Sequence, residues 1–201
     1  MNNCYLDAEA VITFFRMTGR KHIFITGSRG SGKSHLVNNM LKHMSDSFNL
    51  LQSHRTDTPQ VVIKSNLVAD NKEFVIGVPR TSGINPASKG NNMTIIEDGF
   101  INCAIPAIDT HLDTTPERLF VIDELGYLES SCIPFQKAVE KLLDNSHVLA
   151  VIRKQSTEFL NRICNRKDVL VIDIDNTFET LSCIIMASGM SKRFGSNKLI
   201  T

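Results

Sequence analysis

The chain has no tryptophan and only two tyrosines among its 201 residues. A platform for single-stranded nucleic acid needs stacking aromatics interleaved with a basic stripe, and neither is visible here. Charge gives no pull of its own: 22 basic against 21 acidic side chains leave a net +1, too little to draw the whole molecule to a polyanion or an anionic membrane. No apolar run approaches the roughly 20 residues that a membrane span requires. The first residues, Met1 to Asp7, have neither the basic flank nor the apolar core of a secretion signal. The five cysteines (Cys4, Cys103, Cys132, Cys164 and Cys183) are odd in number, widely spaced and without a C-x-x-C pair. That pattern speaks against a disulfide framework or a zinc site and for a reducing, cytoplasmic setting. The six histidines are equally scattered. What remains is an ordinary globular composition, 42% apolar and 21% charged, in a length that buries one good core.

Against this background one segment stands out. Gly27-Ser28-Arg29-Gly30-Ser31-Gly32-Lys33-Ser34 is a complete G-x-x-x-x-G-K-S/T phosphate-binding loop. Average composition gives a chain of this length the pattern by accident in roughly 1 case in 150. Its flanks supply the mechanism. The strand-like run Ile23-Phe24-Ile25-Thr26 precedes it, and a helical stripe of Leu36, Val37, Met40, Leu41 and Met44 follows. A strand that ends in a glycine-rich turn and restarts as a helix aims backbone N–H groups and the helix dipole at one point. Residues 27 to 34, with His35 behind them, are therefore expected to cradle a di- or triphosphate. Lys33 would reach the β- and γ-phosphates, and the Ser34 hydroxyl would sit on the Mg²⁺ they carry.

The rest of the chain alternates strands and helices. A short helix is expected over Ala8 to Met17. Residues 45 to 59 are polar and read as irregular. Val61 to Ile63 and Phe74 to Ile76 bracket a turn and predict a β-hairpin. Pro79 to Asn92 reads as a long surface loop, Met93 to Ile96 as a strand, and Phe100 to Leu112 as a helix interrupted near Pro106. Leu119-Phe120-Val121-Ile122 is a continuous apolar run typical of a strand covered on both faces. Ser131 is the expected cap of a helix carrying Phe135, Val139, Leu142 and Leu143, with Pro134 in its first turn. Val148 to Ile152 and Val169 to Ile174 complete the strands, with a helix over Ser156 to Arg166 between them. The pattern predicts an α/β fold with a mainly parallel sheet wrapped by helices on both faces.

The apolar run at 119 to 122 ends in Asp123-Glu124. With a phosphate loop upstream, Asp123 is the natural partner of Ser34 in holding Mg²⁺, and Glu124 has the reach to orient and deprotonate a water. A cap by Asp123 on a turn through Gly126 is the competing reading. Charge developing on the γ-phosphate also calls for a cation beyond Lys33. Arg153 and Lys154 follow directly on a strand, at the end that faces ligands in parallel sheets. Arg80 and Arg29 are weaker candidates.

The residues Asp123-Glu124-Leu125-Gly126-Tyr127-Leu128-Glu129 resemble the D-E-I/L-G-x-x-E segment of the thermophile-type, or cancer-related, nucleoside-triphosphatases. The likeness runs from about His22 to Asp175 and includes Arg166-Lys167-Asp168-Val169; it is weak between residues 45 and 118. It implies a RecA-like P-loop domain with a small β-hairpin insertion and Mg²⁺-dependent hydrolysis of nucleoside triphosphates with little base selectivity. By the same resemblance Asp123 holds the metal, Glu124 is the base and Glu129 supports the metal shell.

Beyond Asp175 the character changes. The segment from Cys183 to Leu199, with Gly189, Arg193, Gly195 and Lys198, resembles the opening motif of MobA-like nucleotidyltransferases of the molybdenum-cofactor group. It implies a domain order of P-loop unit (1–175), linker (176–182) and the truncated start of a transferase (183–201). The chain would then be the N-terminal part of a longer two-enzyme protein. Two rivals to hydrolysis remain at this stage: a kinase passing the phosphoryl group to a small acceptor, and a nucleotide-gated binding module with slow turnover.

Overall fold

Side chains along the central strands turn alternately to the two faces, so that one sheet feeds two separate cores. In the computed structural model, which describes residues 7–44, 47–80 and 93–176, β1 (His22–Gly27), β6 (Leu119–Leu125) and β7 (His147–Arg153) form its centre. Ile23, Ile25, Val121, Leu149 and Val151 point to one face, where they meet helices α1 (Ala8–Thr18) and α2 (Lys33–Met44). Phe24, Phe120, Ile122, Ala150 and Ile152 point to the other. That face is covered by α4 (Ile105–Thr114), α5 (Ile133–Asn145) and α6 (Glu158–Cys164). The period of two along each strand is thus met by helices on both sides, as a parallel sheet demands.

The eight strands lie in the order β5-β4-β3-β2-β6-β7-β1-β8. Here β2 is Phe48–Arg55, β3 Val61–Ser65, β4 Phe74–Pro79, β5 Met93–Ile95 and β8 Val169–Asp173. Pairing is parallel from β2 through β6, β7 and β1 to β8, and antiparallel from β2 through β3 and β4 to β5. The predicted hairpin is the β3–β4 pair, part of an antiparallel wing built on β2. Strand β7 lies between the phosphate-loop strand β1 and the acid-bearing strand β6.

Three local expectations are corrected. Residues 48–55 are a strand and not irregular chain. The polar residues of β2 are held by partners on both sides: Asn49 Nδ2 bonds Thr115 Oγ1 (2.8 Å) and His111 Nδ1 (2.7 Å), and Gln52 and Ser53 reach the acid segment. A strand shared by two neighbours tolerates polar side chains that isolated periodicity reads as loop. Ser131 does not cap α5; its hydroxyl donates to Tyr127 O (2.8 Å), and Cys132 precedes the helix without a side-chain cap. Around Pro106 the helix is widened and not broken. A short turn α3 (Glu97–Gly99) leads into a π-type segment, Phe100–Ala104, which runs on into α4. Pro106 has no N–H for the Asn102 carbonyl and its ring needs room there, so the wider turn relieves both. Residues 81–92 of the expected loop and the whole transferase-like segment 183–199 lie outside the described residues.

Two buried histidines tie the ends of the strands. His111 links Asn49 to Ser146, which hydrogen-bonds its Nε2 (2.6 Å) and donates to Pro116 O (2.8 Å). His22, fully buried, accepts the Val148 N–H at Nδ1 (3.2 Å), while its Nε2 makes no hydrogen bond and lies 3.4 Å from Asp168 Oδ2. Burial pulls its pKa from 6.5 down to about 4, and the Asp168 charge, which acts in the opposite sense, does not offset this. The unfolded chain takes up that proton near pH 6.5 and the folded chain only near 4. Stability therefore falls as the pH drops through this window, by about 3 kcal/mol for this group. Urea denaturation between pH 7 and 4.5 is expected to show that slope. His22→Asn, which keeps an acceptor for Val148 but cannot be charged, is expected to flatten it. An unchanged slope would move the acid sensitivity to other groups, His111 first.

Candidate active site

The phosphate loop leaves β1 at Gly27, where a Cβ would sit 2.7 Å from Ile174 Cγ1 and 2.9 Å from Ser31 Oγ; only glycine fits. Gly32, at φ +93°, makes the turn into α2 in a region closed to other residues. Within the loop, Ser31 Oγ donates to Ser28 O (2.7 Å). Lys33 Nζ donates to the carbonyls of Gly27 (3.0 Å) and Ser28 (2.7 Å), so its ammonium lies at the centre of the loop's curve. From the far side, Asp175 accepts from the Ser28 N–H (2.7 Å) and Oγ (3.0 Å). The loop is therefore clasped by Asp175, two residues past the end of β8.

The acid pair ends β6, two strand spacings away, or about 10 Å from β1. Side chains close that gap. Asp123 lies within the electrostatic influence of both Lys33 and Ser34. Burial, the largest influence, raises the Asp123 pKa. A hydrogen bond from Gln52 Nε2 (3.4 Å) opposes this, Glu124 pushes it further up, and Lys33 and Ser34 pull it back. The loop and the acids thus face one another across a single cleft, with Lys33, Ser34 and Glu124 on its lining. The Ser34 hydroxyl and the Asp123 carboxylate are the hard oxygens that Mg²⁺ prefers. Among the described residues no group of three or more His, Cys, Asp or Glu side chains gathers to hold a metal. A magnesium ion here would complete its shell with phosphate oxygens and water, its usual habit in nucleotide sites.

Glu124 is the extra residue of a β-bulge: Asp123 pairs with Val151 and Leu125 with Ile152, leaving Glu124 between them. Its carboxylate takes an ion pair from Arg153 Nε. Lys154, next in the chain, bonds Asp173 (2.8 Å) and Asp175 (3.2 Å) instead. The two candidate cations therefore differ: Arg153 serves the acid pair and Lys154 the clasp on the loop. The Gly126 N–H goes to Glu129 Oε2 (2.9 Å), so the turn is capped by Glu129 and not by Asp123. Glu129 Oε1 accepts from Ser53 Oγ (3.2 Å), and burial raises its pKa despite these donors. Both oxygens of Glu129 are engaged by protein, which makes it a bracket for the acidic turn.

A cleft of about 1170 Å³ joins these parts. Gly27 to Gly30, Gly32 to His35, Glu124, Glu129, Arg153 and Lys154 line it, and Ser53, His54, Arg55, Val61 and Met93 of the wing form its far wall. Arg29 is exposed at its mouth; Arg80 is exposed and not among its lining residues. Sequence reasoning missed Gln52, Ser53 and Asp175. The first two were hidden in a stretch read as irregular. Asp175 carried a signal, since it follows a strand neighbouring β1 and so had to end beside the loop.

A phosphate loop and an acid pair at the same edge of a mainly parallel sheet define a P-loop α/β enzyme. A family model described as NTPase matches residues 22–182. The chain belongs to this NTPase family, whose members hydrolyse nucleoside triphosphates. Among curated proteins it is similar to nucleoside-triphosphatase THEP1 of a Thermotoga species, 26% identical over 155 residues that make up 76% of this chain and 86% of the relative. The same-named protein of Thermotoga maritima is 23% identical over 154 residues, 76% and 86% of the two chains. Among solved structures, the crystal structure of THEP1 from Aquifex aeolicus superposes with a TM-score of 0.60 at 18% identity, covering 76% of this chain and 89% of that one. The solution structure of a human cancer-related nucleoside triphosphatase gives 0.56 at 19% identity, covering 76% and 88%. At these identities the two structures speak for the fold.

The bracket made by Glu129 has a measurable consequence. Glu129→Ala leaves the buried Gly126 N–H and the Ser53 hydroxyl without their acceptor, and urea unfolding is expected to show a loss of about 2–3 kcal/mol. Glu129→Gln, which keeps one oxygen, is expected to lose less. An alanine variant as stable as its parent would mean that the bracket contributes nothing.

Proposed function

We propose that this chain hydrolyses nucleoside triphosphates to diphosphates and inorganic phosphate, with Mg²⁺ and with broad tolerance of the base. The observation that carries the proposal is the one cleft lined by Lys33, Ser34 and Glu124, with Asp123 in electrostatic reach of Lys33 and Ser34, which brings a phosphate cradle to an acid pair. The names of the Thermotoga relatives support it, and base tolerance rests on the family resemblance alone. Residues 27 to 35 hold the triphosphate, and Lys33 exchanges its loop carbonyls for phosphate oxygens. Ser34 and Asp123 would hold Mg²⁺, which when bound neutralises charge on the β- and γ-phosphates. Glu124 takes a proton from a water that attacks the γ-phosphorus, the bond to the β–γ bridging oxygen breaks, and diphosphate leaves with that electron pair. Arg153 is the additional cation; Lys154 acts on the loop through Asp175.

A cytoplasmic location belongs to the same proposal. Among the described residues no helix is long and apolar enough to cross a membrane. That residues 183–199 open a nucleotidyltransferase domain is a separate proposal, resting on that motif and on its place just after the matched span. Reading the native coding sequence past Thr201 tests it. The kinase alternative draws on one observation, the continuation of the cleft past Glu124 to the wing. Loss of triphosphate that depends on an acceptor, with little free phosphate, would favour it.

The decisive measurement is phosphate release from ATP, GTP, CTP and UTP with Mg²⁺ or EDTA. Lys33→Ala is expected to lose triphosphate binding and hydrolysis together. Glu124→Gln is expected to keep binding and lose 100-fold or more in kcat, roughly the share of a positioned general base. Release at the parent rate by the Gln variant would remove Glu124 from the role of base.

A further inference from the structure

Arg153 sits at a junction. In the β1–β7 ladder it pairs with Gly27, the first residue of the phosphate loop. On the other side of β7 its neighbour Ile152 pairs with Leu125, next to the acid pair. Its guanidinium is bound to Glu124, and among the described residues this is its one ion pair. The seat is built for the stem. A Cβ on Gly126 would lie 2.7 Å from Arg153 Cδ, 3.2 Å from Cγ and 3.3 Å from Nε, so glycine there lets the arginine cross to Glu124. Gly126 is in turn fixed by Glu129. The neighbouring Lys154 is committed to two carboxylates and leaves Arg153 as the cation able to change partners.

The Glu124 oxygen that Arg153 holds, Oε1, is not free to take a proton from water. A γ-phosphate arriving at a cleft lined by both Arg153 and Glu124 brings more negative charge than the carboxylate offers. We infer that Arg153 is a triphosphate sensor with two positions: on Glu124 in the nucleotide-free protein, and on the γ-phosphate in the complex, which releases Glu124 to receive water. A diphosphate, lacking the γ-group, leaves the resting pair intact. This rests on the hydrolysis reading for the identity of the substrate, but it concerns binding and is read without turnover.

Two measurements test it. In ¹⁵N-labelled protein the Arg153 Nε–H signal, assigned by its loss in Arg153→Gln, is expected to move with a non-hydrolysable ATP analogue and Mg²⁺ and to stay with ADP and Mg²⁺. By calorimetry, Arg153→Gln is expected to cut the preference for the ATP analogue over ADP by about tenfold or more, the worth of a charge-assisted hydrogen bond, while ADP affinity is kept. Arg153→Lys is expected to restore part of that preference. Gly126→Ala, which keeps both charges but displaces the arginine stem, is expected to alter the signal of the nucleotide-free protein and keep the preference. A signal that ignores both nucleotides, or a preference unchanged in Arg153→Gln with hydrolysis intact, would overturn the sensor alone. Failure to bind either nucleotide would overturn the hydrolysis reading with it.

Discussion

The spacing of β-strands governs this molecule. The phosphate loop and the acid pair sit on strands that do not touch, with β7 between them. Two spacings set them about 10 Å apart. That distance is too long for a direct backbone contact and short enough for side chains to span. Across it Asp123 feels both Lys33 and Ser34. Strand β7, which creates the gap, also delivers Arg153 into it. Because all these strands run in parallel, their C-terminal ends open on the same edge, and the chemistry gathers there without further arrangement.

Around that edge lies a ring of supports that hold the site's residues in place. Asp175 clasps Ser28, and Lys154 holds Asp175 and Asp173. Glu129 caps the Gly126 turn and accepts from Ser53, and Gln52 steadies Asp123. Each joins a residue of the site to a strand other than its own. The result is a site whose parts are preorganised by cross-strand hydrogen bonds.

The sequence made the site legible where chemistry is local. The phosphate loop needs eight consecutive residues with fixed types, and the acid pair needs an apolar strand before it; both patterns survive in one dimension. The central strands were equally plain, because burial on both faces leaves an unbroken apolar run such as Leu119 to Ile122. What could not be read was cooperative. Strand β2 carries Asn49, Gln52, Ser53 and His54, a pattern that makes sense only once β6 and β3 flank it and its polar groups find partners in α4 and the acid segment. The role of Ser131 was misread for the same reason, since its hydroxyl was claimed by Tyr127 O from the preceding turn.

Strand β2 is the common border of the parallel half and the antiparallel wing, and it is the strand that steadies Asp123. The wing and the Asp123 carboxylate are consequently one lever. A molecule that pushes β3 and β4 outward cannot widen the groove at His54 without also tugging Gln52 and Ser53. Whatever leans on that distal rim will be felt as a change in how firmly the acids are aimed.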